Sequence, residues 1–448
     1  MADEIKRIFE LAARAADAAE VYAVEAERLP FSFRRGKLEE ATVSRETSIA
    51  LTVVKGGKVG FAASNAPEQA EKLVDNALAT CQFGEDASFA FPQPQVAEEV
   101  TTFDQAAADW PAEAMVELGR QAVRRLEEYR PGAEQRVGVY RITSRVRTLN
   151  TSGVDVSGAA TAVAAMAGLD ISAGQSLMRF VYDSTAAVRL ADLDFARVVD
   201  NVIRQAEWGK REAAIAGGEM PCLVLPDGLA NMLVPLVVAI NGRSLAERAT
   251  TLADKVGQKL IDERITIVDD PTEDYRLGAR SYDDEGTPTR RNVVFERGIF
   301  KGFLHDARTA AACGVSSTGN AVREGTQTPV PGPHRLVLQP GGETLEQLIK
   351  RMGNGLIIGS TAGGGVGNTR AGEFSLGIVR AFKVEGGEVT GWVSRAMVAG
   401  NIYDFLNRVE AIGCELEQIG LMTRVHRMDT ENVFVPPILF KSLPIVAG

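Results

Sequence analysis

Histidine and cysteine, on which most hydrolytic and metal-binding sites depend, are scarce in this 448-residue sequence. Only three histidines occur, and no two of them have the spacing of a helical metal motif. The four cysteines are far apart and form no C-x-x-C pair, which argues against a zinc site and against a disulfide framework. Free thiols fit a reducing compartment. We therefore expect a cytoplasmic protein that has no metal site and no cofactor of its own.

The sequence also lacks long apolar runs and an excess of positive charge. Its longest apolar run, 229–240, is too short to span a bilayer and contains Asn231 and Pro235. The N-terminal residues are charged from Asp3 onward, unlike those of a signal peptide. The net charge is −10, whereas duplex DNA and anionic membranes attract basic surfaces. We therefore expect neither direct nucleic-acid binding nor membrane association.

Hydrophobic periodicity indicates an α+β fold with two domains, residues 1–216 and 217–448. Helical spacing predicts four helices in the first domain, over 3–18, 67–80, 111–130 and 192–213. Extended segments fill the rest of that domain and most of the second. Three glycine turns, at 56–57, 297–298 and 386–387, predict β-hairpins. We predict an N-terminal domain of helices with an antiparallel sheet and a strand-rich C-terminal domain.

Three short features could carry chemistry by residue type alone. His305 and Asp306 could supply a pair of metal ligands, but we interpret them as a capping or hydrogen-bonding pair because few other ligands exist. Cys313 has no nearby base in the sequence, and we interpret it as an inert thiol. The acidic run 283–285 could perform acid–base chemistry or bind a cation. Since it lies beside glycine and proline, we interpret it as a solvated turn.

Two glycine-bearing loops, 317–325 and 359–375, are the candidates for contact with a peptide or a partner. The second is the richest glycine stretch, yet it has neither the Lys-Ser/Thr pair of a Walker loop nor the Rossmann spacing. Glycine lets another backbone approach closely, although an ordinary loop is the simpler interpretation of each alone. The predicted contact residues are Gly319, Asn320, Arg323, Gly364, Gly365 and Asn368.

The most apolar part of the chain is 229–248, LANMLVPLVVAINGRSLAER. It has helical character and contains no histidine, and its first carboxylate is Glu247. We predict that Val238 and its neighbours lie in a buried helix, because large aliphatic side chains gain most from burial. Such a segment contributes to the core and carries no chemistry.

Four blocks of the sequence, in this order, resemble the TldD/PmbA family. They are RRGKLEEATVSRETSIALTVVKGGKVGFAASN, DDEGTPTRRNVVFERGIFKGFLHDARTAAACGVSSTGNAVR, GNTRAGEFSLGIVRAFKVEGGEVTGWVSRAMVAGN and VFVPPILFKSLPIVAG. No single block is diagnostic, but together they extend over nearly the whole chain.

This resemblance implies a function. TldD-like members are implied to be metallopeptidases with a His-Glu-x-x-x-His motif on a mid-chain helix. Members of the PmbA branch, also called TldE, lack the motif and pair with TldD in a complex that degrades or matures unfolded peptides. They have also been named modulators of DNA gyrase. The segment 222–248 occupies the place of the motif helix, with similar flanks and without the ligands.

The resemblance therefore implies a non-catalytic subunit with no catalytic residue, and zinc only in a TldD-like partner. Unfolded peptide would be the substrate of the complex. We also expect a homo- or hetero-oligomer, because the edge strands of the three predicted hairpins would invite pairing. Two alternatives stay open. One is an autonomous hydrolase that uses Cys313, His305 or the acidic run, and the other is a binding module that acts on a partner such as gyrase.

Overall fold

The computed structural model describes residues 2–172, 179–363, 367–419 and 432–448. In these residues the chain has the predicted α+β fold, with an N-terminal region of helices and antiparallel sheet and a strand-rich C-terminal region. No helix of these ranges is both long enough and apolar enough to cross a membrane.

The N-terminal half contains one antiparallel sheet with its helices packed on one face. The helices are α1 (Ala2–Ala15), α2 (Ala70–Thr80), α3 (Gln105–Ala108), α4 (Ala112–Tyr129) and α5 (Phe195–Trp208). The strands are β1 (Ala18–Arg34), β2 (Lys37–Glu40), β3 (Ser44–Lys55), β4 (Lys58–Ser64), β5 (Gln135–Asn150), β6 (Asp155–Asp170) and β7 (Phe180–Ala187). Their order is β4-β3-β1-β5-β6-β7, and β2 pairs with the end of β1.

Alternation along the long strand β1 explains how the helices pack. Val21 and Ala23 are buried against α1 and α2, whereas Phe31 and Phe33 are buried in a second cluster with α4 and α5. These odd-numbered residues share one face because successive strand side chains point to opposite sides. Even-numbered Glu20 lies on the other face, which the C-terminal half contacts.

The C-terminal half contains short helices and fifteen strands among the residues described. The helices are α6 (Pro226–Met232), α7 (Val234–Ala239), α8 (Gly242–Ala246), α9 (Ala307–Cys313), α10 (Leu345–Met352) and α11 (Ile402–Leu406). The strands are β8 (Gly218–Val224), β9 (Ile267–Asp269), β10 (Asn292–Glu296), β11 (Ile299–Phe300), β12 (Ala321–Val322), β13 (Val330–Pro331), β14 (Arg335–Leu338), β15 (Gly355–Ala362), β16 (Glu373–Glu385), β17 (Glu388–Trp392), β18 (Ala396–Asn401), β19 (Val409–Ile412), β20 (Glu417–Gln418), β21 (Asn432–Val435) and β22 (Ile438–Ala447).

Five of these strands close into a ring. The order β15-β8-β22-β18-β16 is completed by pairing of β16 with β15, so the sheet forms a small barrel. Its inward residues, such as Cys222 and Ile358, belong to the C-terminal core. Its outward residues Leu223 and Ile357 belong to the cluster that includes α5 and β5. The two halves thus share one hydrophobic cluster, and the domain boundary at residue 217 stays a prediction.

All three predicted hairpins are present, at β3–β4, β10–β11 and β16–β17. The expectation that their outer strands present free edges was wrong. Each outer strand forms backbone hydrogen bonds with a coil segment: β4 with 85–87, β11 with 257–258 and β17 with 211–213. A covered edge does not recruit another strand, so the edge argument for an oligomer no longer holds.

Candidate functional site

The apolar segment 229–248 folds as three short helices rather than as one. Helix α6 ends at Met232, and α7 begins immediately with Pro235 in its first turn, where the missing N–H costs nothing. Asn241 then caps α8, and its side chain accepts a hydrogen bond from the backbone N–H of Arg243 at 2.8 Å. Pro235 thus accounts for the break between α6 and α7, and Asn241 accounts for the break between α7 and α8.

Most of this segment is buried, but Val238 is not. Leu229, Leu236 and Ile240 are at most 1% exposed and belong to the C-terminal core. Val238 and Val237 are half-buried, so the prediction of a buried position was wrong for these two residues and right for Leu236 and Ala239. The helix turns one face to the core and leaves Val238 at the boundary with solvent.

The glycine-rich loop lies beside α7. Its 3-10 turn at 369–371 contacts α7, and Asn231 of α6 donates a hydrogen bond to the carbonyl of Thr361 at 2.8 Å. Asn368 is exposed, and its carbonyl accepts the N–H groups of Ala371 and Glu373. The structure therefore places Asn368 on the surface near α7. Two other predicted contact residues, Gly364 and Gly365, lie outside the described residues.

The other three predicted contact residues are buried inside the chain. Gly319 has φ +72°, and an added Cβ would lie 2.4 Å from the carbonyl oxygen of Pro288. Asn320 is fully buried and donates hydrogen bonds to the carboxylate of Asp269 at 2.6 Å and to the carbonyl of Gly332 at 3.1 Å. A peptide could not reach these groups without a rearrangement, so we assign Gly319 and Asn320 to the internal structure.

Arg323 joins the two halves of the protein. Its guanidinium is 1% exposed, forms an ion pair with Glu20 of β1 and stacks 4.9 Å from the ring centroid of Tyr22. Its backbone N–H donates to the carboxylate of Asp284 at 2.7 Å. We therefore assign Arg323, like Gly319 and Asn320, to the internal structure.

The acidic run 283–285 is buried, which corrects the interpretation of a solvated turn. Asp283 accepts three backbone N–H groups, from Glu285, Thr287 and Ala321. Asp284 pairs with Arg280 at 3.0 Å. The turn is polar because it folds inward against β1 and the start of β12, where backbone donors and two arginines replace water.

Burial raises the pKa values of these carboxyl groups. It raises the pKa of Asp283 to about 7, against the hydrogen bonds that favour the charged form. It also raises the pKa of Glu285 well above its ordinary value, with further contributions from the nearby Asp283, Asp306 and Glu20 carboxylates. For Glu20, burial again raises the pKa and outweighs the opposing Arg323 charge. Burial therefore favours the neutral forms of Asp283, Glu285 and Glu20.

The remaining candidates have structural roles. Asp306 caps α9 by accepting the backbone N–H of Thr309 at 2.7 Å, which confirms the capping interpretation. His305 is buried, and its Nδ1 lies 3.3 Å from Thr309 Oγ1. Burial lowers the pKa of His305 and raises the pKa of the Cys313 thiol, which keeps both groups neutral. A neutral His305 ring cannot act as an imidazolium, and a neutral Cys313 thiol is not the reactive thiolate.

No group of three or more His, Cys, Asp or Glu side chains suited to a metal ion occurs in the described part of the chain. Buried His334 has its Nε2 atom 2.9 Å from the carbonyl oxygen of Gly319 and donates an N–H to it. Since a carbonyl only accepts, the Nε2–H tautomer is required. Burial also holds the pKa of His334 well below its ordinary value, so the ring is neutral.

A polar cleft that the sequence did not predict lies between the two halves. Its walls include Asp183, Gln205, Asp227, Arg380 and Glu417, which come from β7, α5, α6, β16 and β20. Burial is the main cause that raises the pKa values of Asp183 and Glu417, against the opposing charge of Arg197. The Asp227 carboxylate raises both pKa values further, and the Asp183 carboxylate raises that of Glu417. No local motif joins residues so far apart, and sequence reasoning had no signal for this site.

Comparison with known families identifies matches over both halves. Residues 217–447 match the PmbA/TldA metallopeptidase C-terminal domain, and residues 19–81 match PmbA/TldA metallopeptidase domain 1. The metalloprotease PmbA of Escherichia coli O157:H7 is 24% identical over 93% of this chain and 91% of its own length. A Methanocaldococcus jannaschii metalloprotease, MJ0996, is 29% identical, but the match spans only 52% of this chain and 53% of that protein.

Solved structures share the whole fold. TldE from Thermococcus kodakarensis has a TM-score of 0.90 at 24% identity, and the match covers 99% of this chain and 100% of that one. A protein described as a candidate modulator of a DNA gyrase, from Thermotoga maritima, has a TM-score of 0.85 at 23% identity, with 99% and 100% coverage. At such low identity these similarities establish the fold alone.

Proposed function

This chain belongs to the PmbA/TldD metallopeptidase family, and on that premise we propose that it is a PmbA/TldE-type subunit of a peptide-processing complex. In this proposal it has no hydrolytic centre, and a TldD-like partner supplies the zinc site. Its substrate is unfolded peptide, handled jointly with the partner in the cytoplasm.

The observation that carries the proposal is the composition of α7. By the resemblance, the segment 222–248 stands in the place of the His-Glu-x-x-x-His motif, and within it α7 reads Val-Pro-Leu-Val-Val-Ala. Zinc in hydrolytic sites is bound by histidine and carboxylate groups, and a general base must accept a proton. Aliphatic side chains and proline do neither. Leu236 and Ala239 instead pack in the core.

The neighbouring polar groups support the same proposal. Asp283, Asp306 and Asn320 each accept or donate hydrogen bonds within the chain, and these bonds hold turns and a helix terminus. A nucleophile needs an adjacent base and an approach path for substrate. Cys313 has a pKa raised by burial, which disfavours the reactive thiolate.

The face beside α7 is our proposed contact surface. It consists of α7 together with the exposed residues Gly363, Gly367 and Asn368 of the glycine-rich loop. In the family a partner's peptide would pass near the motif helix, so the equivalent face here suits a peptide or partner subunit. Backbone groups of a glycine-rich loop can contact such a chain with little demand on its sequence.

Reconstitution tests this function. We expect the chain, mixed with a TldD-like subunit from the same genome, to raise cleavage of an unfolded peptide well above either protein alone. Substitution of both motif histidines in the partner should abolish that cleavage. Elemental analysis of the chain alone should find no stoichiometric zinc. One zinc per chain, or no stimulation by the chain, would contradict the proposal.

The autonomous-hydrolase alternative predicts a different pattern. Under that alternative the chain alone cleaves peptide, and Cys313→Ala or His305→Ala abolishes the cleavage. We expect both variants to stimulate a TldD-like partner about as well as the parent protein does. Asn368→Ala is the informative third variant. Asn368 is exposed and lies on the proposed contact surface, so reduced stimulation by this variant would reflect a lost contact rather than a folding defect.

A gyrase-binding function is a second candidate, favoured by the description of two similar structures as candidate modulators of DNA gyrase, from Thermotoga maritima and Bacteroides thetaiotaomicron. The net charge of −10 makes contact with the DNA itself unfavourable, so such a function would require binding to the protein. Sedimentation of the chain with purified gyrase, with and without DNA, tests it. Co-sedimentation without DNA would support this candidate.

A further inference from the structure

One outer side of the C-terminal barrel is largely exposed. The opposite side is covered, because Leu223 and Ile357 pack in the hydrophobic cluster that the two halves share. On β16, β18 and β22 the inward residues Leu376, Val398 and Ile445 belong to the C-terminal core, so their alternate neighbours point outward. The outward residues of these three strands form what we call the exposed barrel face, which consists of Ser375, Gly377, Val379, Met397, Ala399 and Val446.

The exposed barrel face is apolar and continuous. Val379, Met397 and Val446 are 55%, 47% and 61% exposed, although each has a large apolar side chain. Met397 lies directly opposite Gly377 on one neighbouring strand and Val446 on the other, so the exposed groups adjoin across three strands. None of the six residues carries a charge, whereas 24% of the chain is charged. A continuous exposed apolar patch of this kind is typical of a contact surface between proteins.

The two ends of the exposed barrel face carry opposite charges. Glu373 begins β16 at one end, opposite Asn401, and Arg395 directly precedes β18 at the other end. Both residues are exposed, and neither forms an ion pair in the part of the chain that the structure describes. Because Ala396 pairs with Ile378, the two charges are about six residue steps apart along the strands, or about 20 Å. The face is therefore an apolar strip with one unpaired charge at each end.

This arrangement of charges is complementary to a second copy of itself. In a two-fold dimer each patch meets the same patch of the other copy. A two-fold axis across the middle of the strip, perpendicular to its strands, turns the second copy end for end. Glu373 of each copy then lies at the end where the other copy carries Arg395, so opposite charges meet twice. The same axis sets Met397 of each copy over Ala399 of the other, a large side chain against a small one.

We propose that the chain forms a two-fold homodimer through the exposed barrel face, with Met397 and Val446 at its apolar centre and a Glu373–Arg395 pair at each end. Methionine and arginine are enriched in such interfaces, whose centres are apolar and whose rims are polar. A stable interface buries about 800 Å² of each partner, so the exposed barrel face is its centre and the surrounding residues form its rim. The contact joins sheet faces and needs no strand edge. It concerns the isolated chain and does not depend on the proposed function.

Sedimentation velocity of the full-length chain over a concentration series tests the proposal. We expect a species with twice the mass of one chain. Met397→Asp places a charge at the centre of the contact and should raise the dissociation constant of the dimer at least about ten-fold. Val315→Asp is the matched control, because Val315 is similarly exposed, at 53%, and lies after α9 away from the face. A monomer at every concentration, or equal effects of the two variants, would overturn the proposal.

Charge reversal identifies the occupant of the face. Glu373→Arg alone, or Arg395→Glu alone, brings like charges together at both ends and should weaken the dimer at least about three-fold. The double variant exchanges the two charges and should restore the dissociation constant to within about three-fold of the parent value. If the double variant stays weak, with its fold verified by circular dichroism, the reciprocal pairing is wrong. A monomeric chain in which Met397→Asp reduces the stimulation of a TldD-like subunit would assign the face to that partner and reject the homodimer.

Discussion

Two buried regions of this protein, the helices α6–α8 and the acidic turn 283–287, achieve burial in opposite ways. The helices bury aliphatic side chains such as Leu236, whose removal from water is favourable by itself. The turn buries three consecutive carboxyl groups, which is favourable only because backbone N–H groups, Arg280 and Arg323 contact them. Loss of one side chain leaves a cavity in the first region, whereas loss of one partner in the second leaves a buried polar group unpaired.

The same two regions differ in their relation to chemistry: α7 packs in the core, and the polar groups hold the structure together. In the proposed function, α7 stands where the family's metal-binding helix lies; its residues Leu236 and Ala239 pack in the core, and Arg323 and Glu20 join the two halves. Chemistry and architecture have thus been assigned to different residues. If the proposed function is right, the protein should be sensitive to the loss of Arg323 and insensitive to the loss of the Cys313 thiol.

The largest effect is expected from Arg323→Ala, which would leave the buried carboxylate of Glu20 without its ion-pair partner. Breaking a buried pair from one side costs about 3–5 kcal/mol, so we expect a loss of this size in the free energy of unfolding measured with urea. Arg7→Ala removes an exposed ion pair with Glu71 and is the control, with little change expected. Equal, small losses would mean that the polar turn contributes no more than a surface pair.

The next effect tests the apolar region. Leu236→Ala should lower the free energy of unfolding by about 3 kcal/mol, because it leaves a cavity in the core. The matched change Val238→Ala, at a half-buried position of the same helix, should cost about 1 kcal/mol or less. If both changes cost the same, the placement of one helical face against the core would be incorrect.

Two glycines test the packing beside the polar turn, with smaller expected losses in the free energy of unfolding. Gly319 and Gly314 have φ values of +72° and +68°, but an added Cβ meets the Pro288 carbonyl only at Gly319. Alanine at Gly314 should cost about 1 kcal/mol for the left-handed backbone alone. Gly319→Ala should cost about 2–3 kcal/mol, because the clash adds to the same backbone strain. A lower melting temperature for Gly314→Ala than for Gly319→Ala would contradict the close packing of Gly319, which precedes Asn320.

The most gradual effect is the pH dependence of the polar turn. Asp283 and Glu285 have raised pKa values in the folded state, so the stability they contribute is complete below about pH 4 and decreases as pH rises. For Asp283 the decrease extends to about pH 7, the folded pKa, and for Glu285 it continues above its ordinary range. We expect melting temperature to fall between pH 5 and pH 8.

Glu285→Gln tests the origin of that slope. Glutamine stays neutral and can still accept the N–H of Ala307, so the melting temperature of this variant should fall less steeply over the same pH range. Glu388→Gln, at the exposed first residue of β17, should follow the slope of the parent protein. Parallel slopes for all three proteins would show that other groups control the pH dependence.

Local patterns predicted much of the fold because they depend on neighbours in sequence. The hairpins at Gly56, Gly298 and Gly386 follow from the positive φ angles that these turns require, and all three were predicted. The break before Pro235 was missed, although proline at a first helical turn is a local signal. Barrel closure by β15 and β16 was not predicted, because pairing of distant strands leaves no periodic mark.

The candidate sites also have some features that the sequence could predict and others that it could not. The apolar composition of α7 is a property of the sequence, and the absence of ligands there could be recognised directly. The burial of Asp283 and the meeting of Asp183, Asp227 and Glu417 in one cleft could not, since the same residue types occur in solvated turns. Whether a carboxylate is solvated depends on which donors approach it from elsewhere in the chain.

The sequence by itself thus determined the α+β class, the hairpin turns and the apolar, helical character of 229–248, because backbone angles and hydrophobic periodicity act over a few residues. Only the tertiary structure decided which charged groups are buried, which strand edges are covered and which residues form the cleft. The physical reason is that desolvation and electrostatic pairing depend on distances between residues hundreds of positions apart, as for Glu20 and Arg323.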